Sequence, residues 1–221
     1  MNHHVFTFAK ETLWALPNGA LWWPDFKCLA VSDLHLGKSE RMARRGGMLL
    51  PPYETADTLQ RLQDCIEAYR PGHVICLGDS FDDVAAAGAL SQAETLWLTR
   101  LQAGRHWIWI AGNHDPDVIP FGGSQVAEFS ARGLVFRHIA QTGSVGEISG
   151  HYHPKASISA RGRRASRACF LVDQERVVMP AFGTYTGGLR CTDPALQSLM
   201  KPDALAILTG PQALAVPMPR R

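Results

Sequence analysis

At 221 residues, 46% apolar and 19% charged, the chain has core material for one globular domain spanning 1–221. A net charge of +2 excludes a chain that is basic throughout, so any nucleic-acid contact must come from local clusters. With no apolar run near the ~18 residues of a membrane span and no signal-peptide pattern, a soluble, cytoplasmic protein with no membrane partner is expected. The five cysteines, Cys28, Cys65, Cys76, Cys169 and Cys191, are scattered without a C-x-x-C pair. They read as buried small hydrophobes of a reducing compartment.

In chain order, "VFTFA", "TLWAL", "ALWW" and "KCLAVSD" alternate apolar residues with turn signals and read as strands, with "PNG" (17–19) as a hairpin turn. From Tyr53 to Tyr69, apolar side chains recur at Tyr53, Ala56, Leu59, Leu62, Ile66 and Tyr69, which is helical spacing. "HVICLGD" (73–79) is a buried strand ending in a polar tip. Ser91 and Glu94 form a capping box for a helix running to about Ala103. "HWIWIAGN" (106–113) is another buried strand. Strand–helix–strand–helix–strand favours a partly parallel sheet. After residue 120, "QVAEFSA", "GLVFRH", "GEISGH", "ASRACFLVD", "RVVMPA", "LAILTG" and "ALAVP" are mostly strands, so two sheets packed face to face with helices outside would share one core.

Potential metal ligands fall at the ends of these strands. "SDLHLG" supplies Asp33 and His35, "LGDSFDD" supplies Asp79 and Asp82, and "AGNHDPD" supplies Asn113, His114 and Asp115. "FRH" ends in His138, and "SGHYH" carries His151 and His153. Any one of these reads equally well as a turn former or helix cap. Five in succession, at corresponding positions, do not. Ligands bind beyond the carboxyl ends of strands in open α/β sheets, so the clusters are expected to converge. The i, i+2 spacing of Asp33/His35 and of His151/His153 suits two ligands on one face of an extended tip.

Carboxylate, amide oxygen and imidazole suit Mn²⁺, the first expectation, or Fe or Zn²⁺, and the missing thiolate argues against structural zinc. Asp33, His35, Asp79, Asn113, His138, His151 and His153 are too many for one ion, but fit two ions about 3.5–4 Å apart. Two dications against the charges of Asp33 and Asp79 leave a positive site, which suits an anionic substrate such as a phosphate ester.

D-x-H, G-D-x-x-D, G-N-H-D, a lone His and G-H-x-H, in that order, resemble the five signatures of calcineurin-like metallophosphoesterases. Here they are Asp33–His35, Gly78–Asp82, Gly112–Asp115, His138 and Gly150–His153. "SDLHLGKSE", "GEISGHYHPK" and "MPAFGTYTGGL" are similar to the ligase-associated DNA damage response endonucleases, the PdeM-like group. The resemblance implies an α/β fold, a four-layer αββα sandwich of two mixed β-sheets flanked by helices. It also implies that Asp33, His35 and His153 hold one ion, that Asn113, His138 and His151 hold the other, and that Asp79 bridges them. His114 would face the phosphate, oriented by Asp115, with Asp82 in a supporting role. A hydroxide activated by both ions would attack phosphorus. A DNA ligase and a helicase are the implied partners.

Two basic clusters bear on the substrate. Lys38, Arg41, Arg44 and Arg45 follow the first motif, and Arg161, Arg163, Arg164 and Arg167 follow the last. They read either as contacts to nucleic-acid phosphates or as solvated loops. "TYTGG" (184–188) is read as a packing turn rather than a phosphate cradle, and Tyr152 as a packing residue with base stacking as the alternative. Three functions stay open: a DNA phosphodiesterase or endonuclease, a phosphodiesterase of small diesters such as cyclic nucleotides, and a metal-stabilised DNA-end binding module.

Overall fold

The computed structural model describes residues 2–47, 49–116, 120–160 and 163–220. The chain opens with β1 (His4–Phe8), β2 (Glu11–Ala15), β3 (Leu21–Trp23) and β4 (Cys28–Val31). The "PNG" turn joins β2 to β3, with Leu16 N–H donating to Ala20 O at 2.9 Å. Helices α1 (Lys38–Arg44) and α2 (Glu54–Tyr69) lead to β5 (His73–Leu77), and α3 (Val84–Ala89) and α4 (Gln92–Gln102) lead to β6 (His106–Ile110). The predicted capping box starts α4: Ser91 and Glu94 satisfy each other's backbone N–H.

A run of strands follows: β7 (Ser124–Val126), β8 (Glu128–Ala131), β9 (Leu134–Arg137), β10 (Glu147–Ser149), β11 (Lys155–Ala160), β12 (Arg163–Val172) and β13 (Arg176–Val178). The chain finishes with α5 (Pro194–Leu199), β14 (Leu205–Leu208) and β15 (Leu214–Pro217). Sequence reading missed α1, α3, α5 and β11.

The first sheet has the order β1-β2-β3-β4-β5-β6-β7, antiparallel to β4 and parallel from β4 to β7. The second runs β15-β14-β12-β13-β10-β9-β8, with β11 paired to β12. It is parallel only across β9, β10 and β13.

Both faces of the central strands are buried, which explains their continuous apolar runs. Ile75, Leu77, Ile108 and Ile110 point inward against Phe136, Ile148, Phe170 and Val177 of the second sheet. Their neighbours Val74, Cys76, Trp107 and Trp109 point outward to Leu59, Leu62 and Ile66 of α2 and Leu98 and Leu101 of α4. Leu196 of α5 covers the outer face of the second sheet with Cys169, Leu171 and Leu208. Two mixed sheets between helices make the expected αββα sandwich. All five cysteines are buried and free. Among the described residues, no helix is long and apolar enough to cross a membrane.

Candidate metal centre

Register brings the strand tips level: Val31 pairs with Cys76, and Leu77 with Ile110. The pairing continues irregularly past the strand ends. His35 N–H donates to Asp79 O at 2.9 Å, Gly150 N–H to His138 O at 3.0 Å, and His151 N–H to Asp33 Oδ2 at 3.0 Å. The last two bonds draw β9, β10 and the β4 tip together.

The tips are not extended, and this corrects the i, i+2 argument. Asp33, His35, Asp79, His151 and His153 all have left-handed φ, from 46° to 69°. Such conformations cost non-glycine residues about 1–3 kcal/mol each, and they collect where surrounding structure holds a functional group in place. Because the chain turns at both of them, His151 joins Asp79 and His138 while His153 joins Asp33 and His35.

Around Asp79 the donor atoms converge on one point. His138 Nδ1 donates to Leu77 O at 2.9 Å, which fixes the tautomer and leaves the lone pair on Nε2. That nitrogen lies 2.9 Å from Asn113 Oδ1, 3.2 Å from His151 Nδ1 and 3.4 Å from Asp79 Oδ2. A single proton among four such atoms satisfies one pair, whereas a cation satisfies all of them. Burial opposes ionisation of Asp79, but His138 and His114 outweigh it and hold its carboxyl at about 2.

A second group forms from Asp33, His35 and His153, whose ligand atoms lie within 4.8 Å of one another. His153 Nε2 is 3.0 Å from Asp33 Oδ1 yet has no hydrogen-bond partner, and neither has His35 Nε2. Ser32 Oγ donates to Asp33 Oδ2 at 2.5 Å, a support that sequence reading missed. His35 Nδ1 faces Asp82 Oδ1 at 2.9 Å, so a carboxylate behind the ring turns Nε2 toward the group.

Asp82 is also where the first basic cluster goes. "KSERMAR" forms helix α1 rather than a basic loop. Arg41 Nη1 lies 2.7 Å from Asp82 Oδ2 and Lys38 Nζ 3.7 Å from Oδ1. Arg44 and Arg45 pair with Asp83 at 2.9 and 3.3 Å. These cations are committed to the protein's own carboxylates. Burial alone would raise the Asp82 carboxyl, but His35, Arg41 and Lys38 hold it well below the usual range. Arg161 of the second cluster lies outside the described residues. Arg163 and Arg164 begin β12, their side chains outside the description, and Arg167 is exposed.

His114 stands at the mouth, with 31% of its side chain exposed while Asp33, His35, Asp79 and His138 are buried. Its Nδ1 donates to Asp82 O at 2.8 Å, which turns Nε2 toward Asp79 Oδ2 at 4.0 Å. Asp115 does a different job from the orienting one expected. Its Oδ1 accepts from the N–H of Asp79 and Gly112, and its Oδ2 from Ser80 and Phe81. Burial and the Asp79 charge push this carboxyl up to about 6 against the N–H groups of Phe81, Ser80 and Gly112. It is a clamp on the Asp79 loop, and His114 takes its orientation from Asp82.

Gly188 is a packing residue. A Cβ on Gly188 (φ +145°) would stand 3.0 Å from His153 Cβ, so only glycine lets "TYTGG" close behind that ring. Tyr152 is half-buried against the outer core of the second sheet.

This arrangement agrees with comparisons to known proteins. A family model described as calcineurin-like phosphoesterase matches residues 26–166, well over half of the chain. A search of curated protein sequences finds no match. Among solved structures, the nuclease MPE of Pseudomonas putida is similar at 26% identity and a TM-score of 0.77, covering 97% of this chain and 100% of that one. With imidazoles, carboxylates and an amide converging at strand tips inside the matched fold, the chain belongs to the calcineurin-like phosphoesterases and is a metal-dependent phosphoester hydrolase.

Proposed function

We propose that the protein hydrolyses phosphodiester bonds of DNA with two divalent ions, of which Mn²⁺ suits the oxygen and imidazole donors best. Asp33, His35 and His153 would hold one ion, Asn113, His138 and His151 would hold the other, and Asp79 would serve both. The observation that carries this reading is the convergence of Asn113, His151 and Asp79 on His138 Nε2. Bound ions supply charge to the phosphoryl oxygens and lower the pKa of a water that serves as nucleophile. The chain's own contribution at the phosphate is His114. With Nδ1 held on Asp82 O, its Nε2 sits at the mouth, and in the doubly protonated ring it donates to the leaving oxygen. His114→Ala is expected to keep both ions and lose about 10²–10⁴-fold in rate. Lost metal content in that variant would make His114 a ligand instead.

Asp82 supports the first ion site through His35. Asp82→Ala is expected to weaken Mn²⁺ binding there by about 10–100-fold, read by calorimetric titration of metal-free protein. Unchanged affinity would remove Asp82 from that role.

A repair setting beside a DNA ligase and a helicase, in a reducing cytoplasm, follows from the PdeM-like resemblance. The nuclease relative and five free, buried cysteines support it. One domain over 1–221 is supported by an inner core that draws on both sheets. A second reading, hydrolysis of small diesters such as cyclic nucleotides, is favoured by the self-paired cations of α1, which leave less charge for a DNA backbone. The deciding experiment offers Mn²⁺-loaded protein a DNA oligonucleotide, a cyclic nucleotide, a model diester and a model monoester. Cleavage of the oligonucleotide supports the first reading, and hydrolysis of the monoester alone removes both.

A further inference from the structure

A cavity of about 310 Å³ opens beside the Asp79 group, between the ends of β6 and β9 and the start of β8. Asn113 and His138 form its inner wall, and Ala111, Glu128, Arg137 and Ile139 line the rest. A phosphodiester held at the metal centre must send one of its two substituents toward such a neighbour. The cavity is at the small end of ligand sites, about 300–1,000 Å³, which suits a single small group.

The charge of the wall says which kind of group. Arg137 is its cation, but Glu128 Oε2 lies 2.9 Å and Glu147 Oε1 3.3 Å from the guanidinium, so the charge is cancelled on the spot. A further phosphate gains little there. Ile139, directly after His138, exposes 42% of its surface and adds an apolar side. A planar guanidinium, an exposed aliphatic wall and a carboxylate acceptor together fit the flat, amine-bearing edge of a nucleobase.

The geometry points to a nucleoside subsite next to the second ion. There the base of the nucleotide flanking the scissile phosphate lies against Ile139 and offers its exocyclic amine to Glu128. This inference rests on the phosphodiesterase reading above and adds a base preference to it. Adenine, cytosine and guanine carry such an amine, and thymine does not.

The test cleaves a randomised DNA oligonucleotide pool with Mn²⁺-loaded protein and sequences the new ends. One position beside the cut should favour amine-bearing bases over thymine by at least about tenfold, the scale of one hydrogen bond to a charged acceptor. Glu128→Leu, which removes the acceptor, should erase that bias. Ala127→Trp, which fills the cavity from an exposed position, should lower kcat/KM for the oligonucleotide relative to p-nitrophenyl methyl phosphate at least tenfold. Melting curves of both variants report folding. A wild-type enzyme with no positional bias, or a bias that survives Glu128→Leu, overturns the subsite, as does an unchanged ratio in Ala127→Trp. A wild-type enzyme that hydrolyses the small diester but no DNA instead overturns the DNA reading, and the subsite falls with it.

Discussion

Asp79→Ala abolishes metal-dependent hydrolysis, with a loss beyond the roughly 10–100-fold that follows removal of a group supporting a ligand. The expectation rests on what this carboxylate touches. Its Oδ1 accepts the His114 N–H at 2.9 Å, and its Oδ2 faces His138 Nε2 at 3.4 Å and His114 Nε2 at 4.0 Å. It therefore ties the proposed acid to the Asp79 group while offering two oxygens where Asn or His offers one donor atom. Held at about 2, it is ionised throughout the neutral range, and alanine removes that charge from a site crowded with imidazoles. The measurement is metal content by mass spectrometry after gel filtration in Mn²⁺, alongside diester turnover. Asp79→Asn separates charge from backbone, because asparagine tolerates the left-handed φ of 46° at this position. Asparagine is expected to keep the fold and lose at least one of the two ions. Two ions retained in Asp79→Ala would refute the bridging role.

How much of this was legible in the sequence follows from where each signal resides. β4, β5 and β6 were readable because both faces are buried, so "CLAV", "VICL" and "WIWI" stand out as apolar runs with polar tips. α4 was readable because its cap is local, Ser91 to Glu94. α1 was not. Its N-cap is Gly37 with no side-chain cap, it buries no residue, and apart from Glu40, which pairs with Arg44, its acidic partners are distant, with Asp82 41 residues beyond Arg41. A basic run whose counter-charges are remote looks like a free cationic surface. The donor types were legible but not the backbone that aims them, because i, i+2 spacing fits an extended tip as well as a chain turning through positive φ at both residues. Asp115 misled for a related reason. Adjacency to His114 suggested a pair, whereas the turn points its carboxylate into the N–H groups of the Asp79 loop.

Gly150→Ala is expected to damage the site more than its one added methyl suggests. The new Cβ would press into Ser32 Oγ and stand 2.6 Å from Asp33 Oδ2, and both residues are fully buried. The backbone cannot swing away freely. Gly150 N–H is bonded to His138 O at 3.0 Å, its carbonyl accepts from Tyr152 N–H at 2.8 Å, and His151 N–H is bonded to Asp33. Relief must come from moving the Asp33 carboxylate or the His151 turn, so stability and metal binding fall together. Overpacking of this kind costs about 1–3 kcal/mol, and each kcal/mol lowers the melting temperature by roughly 2–4 °C at this chain length. Gly187→Ala is the control, since a Cβ there meets nothing within 4 Å, and it should leave both readouts unchanged. Adding Ser32→Ala to Gly150→Ala removes one of the two clashing atoms. It should restore part of the melting temperature through a coupling that independent sites would not show. Mn²⁺ affinity should remain impaired in the double variant, because the Asp33 oxygen is still in the way. Full recovery of metal binding there would place the clash on Ser32 alone and leave the position of Asp33 independent of Gly150.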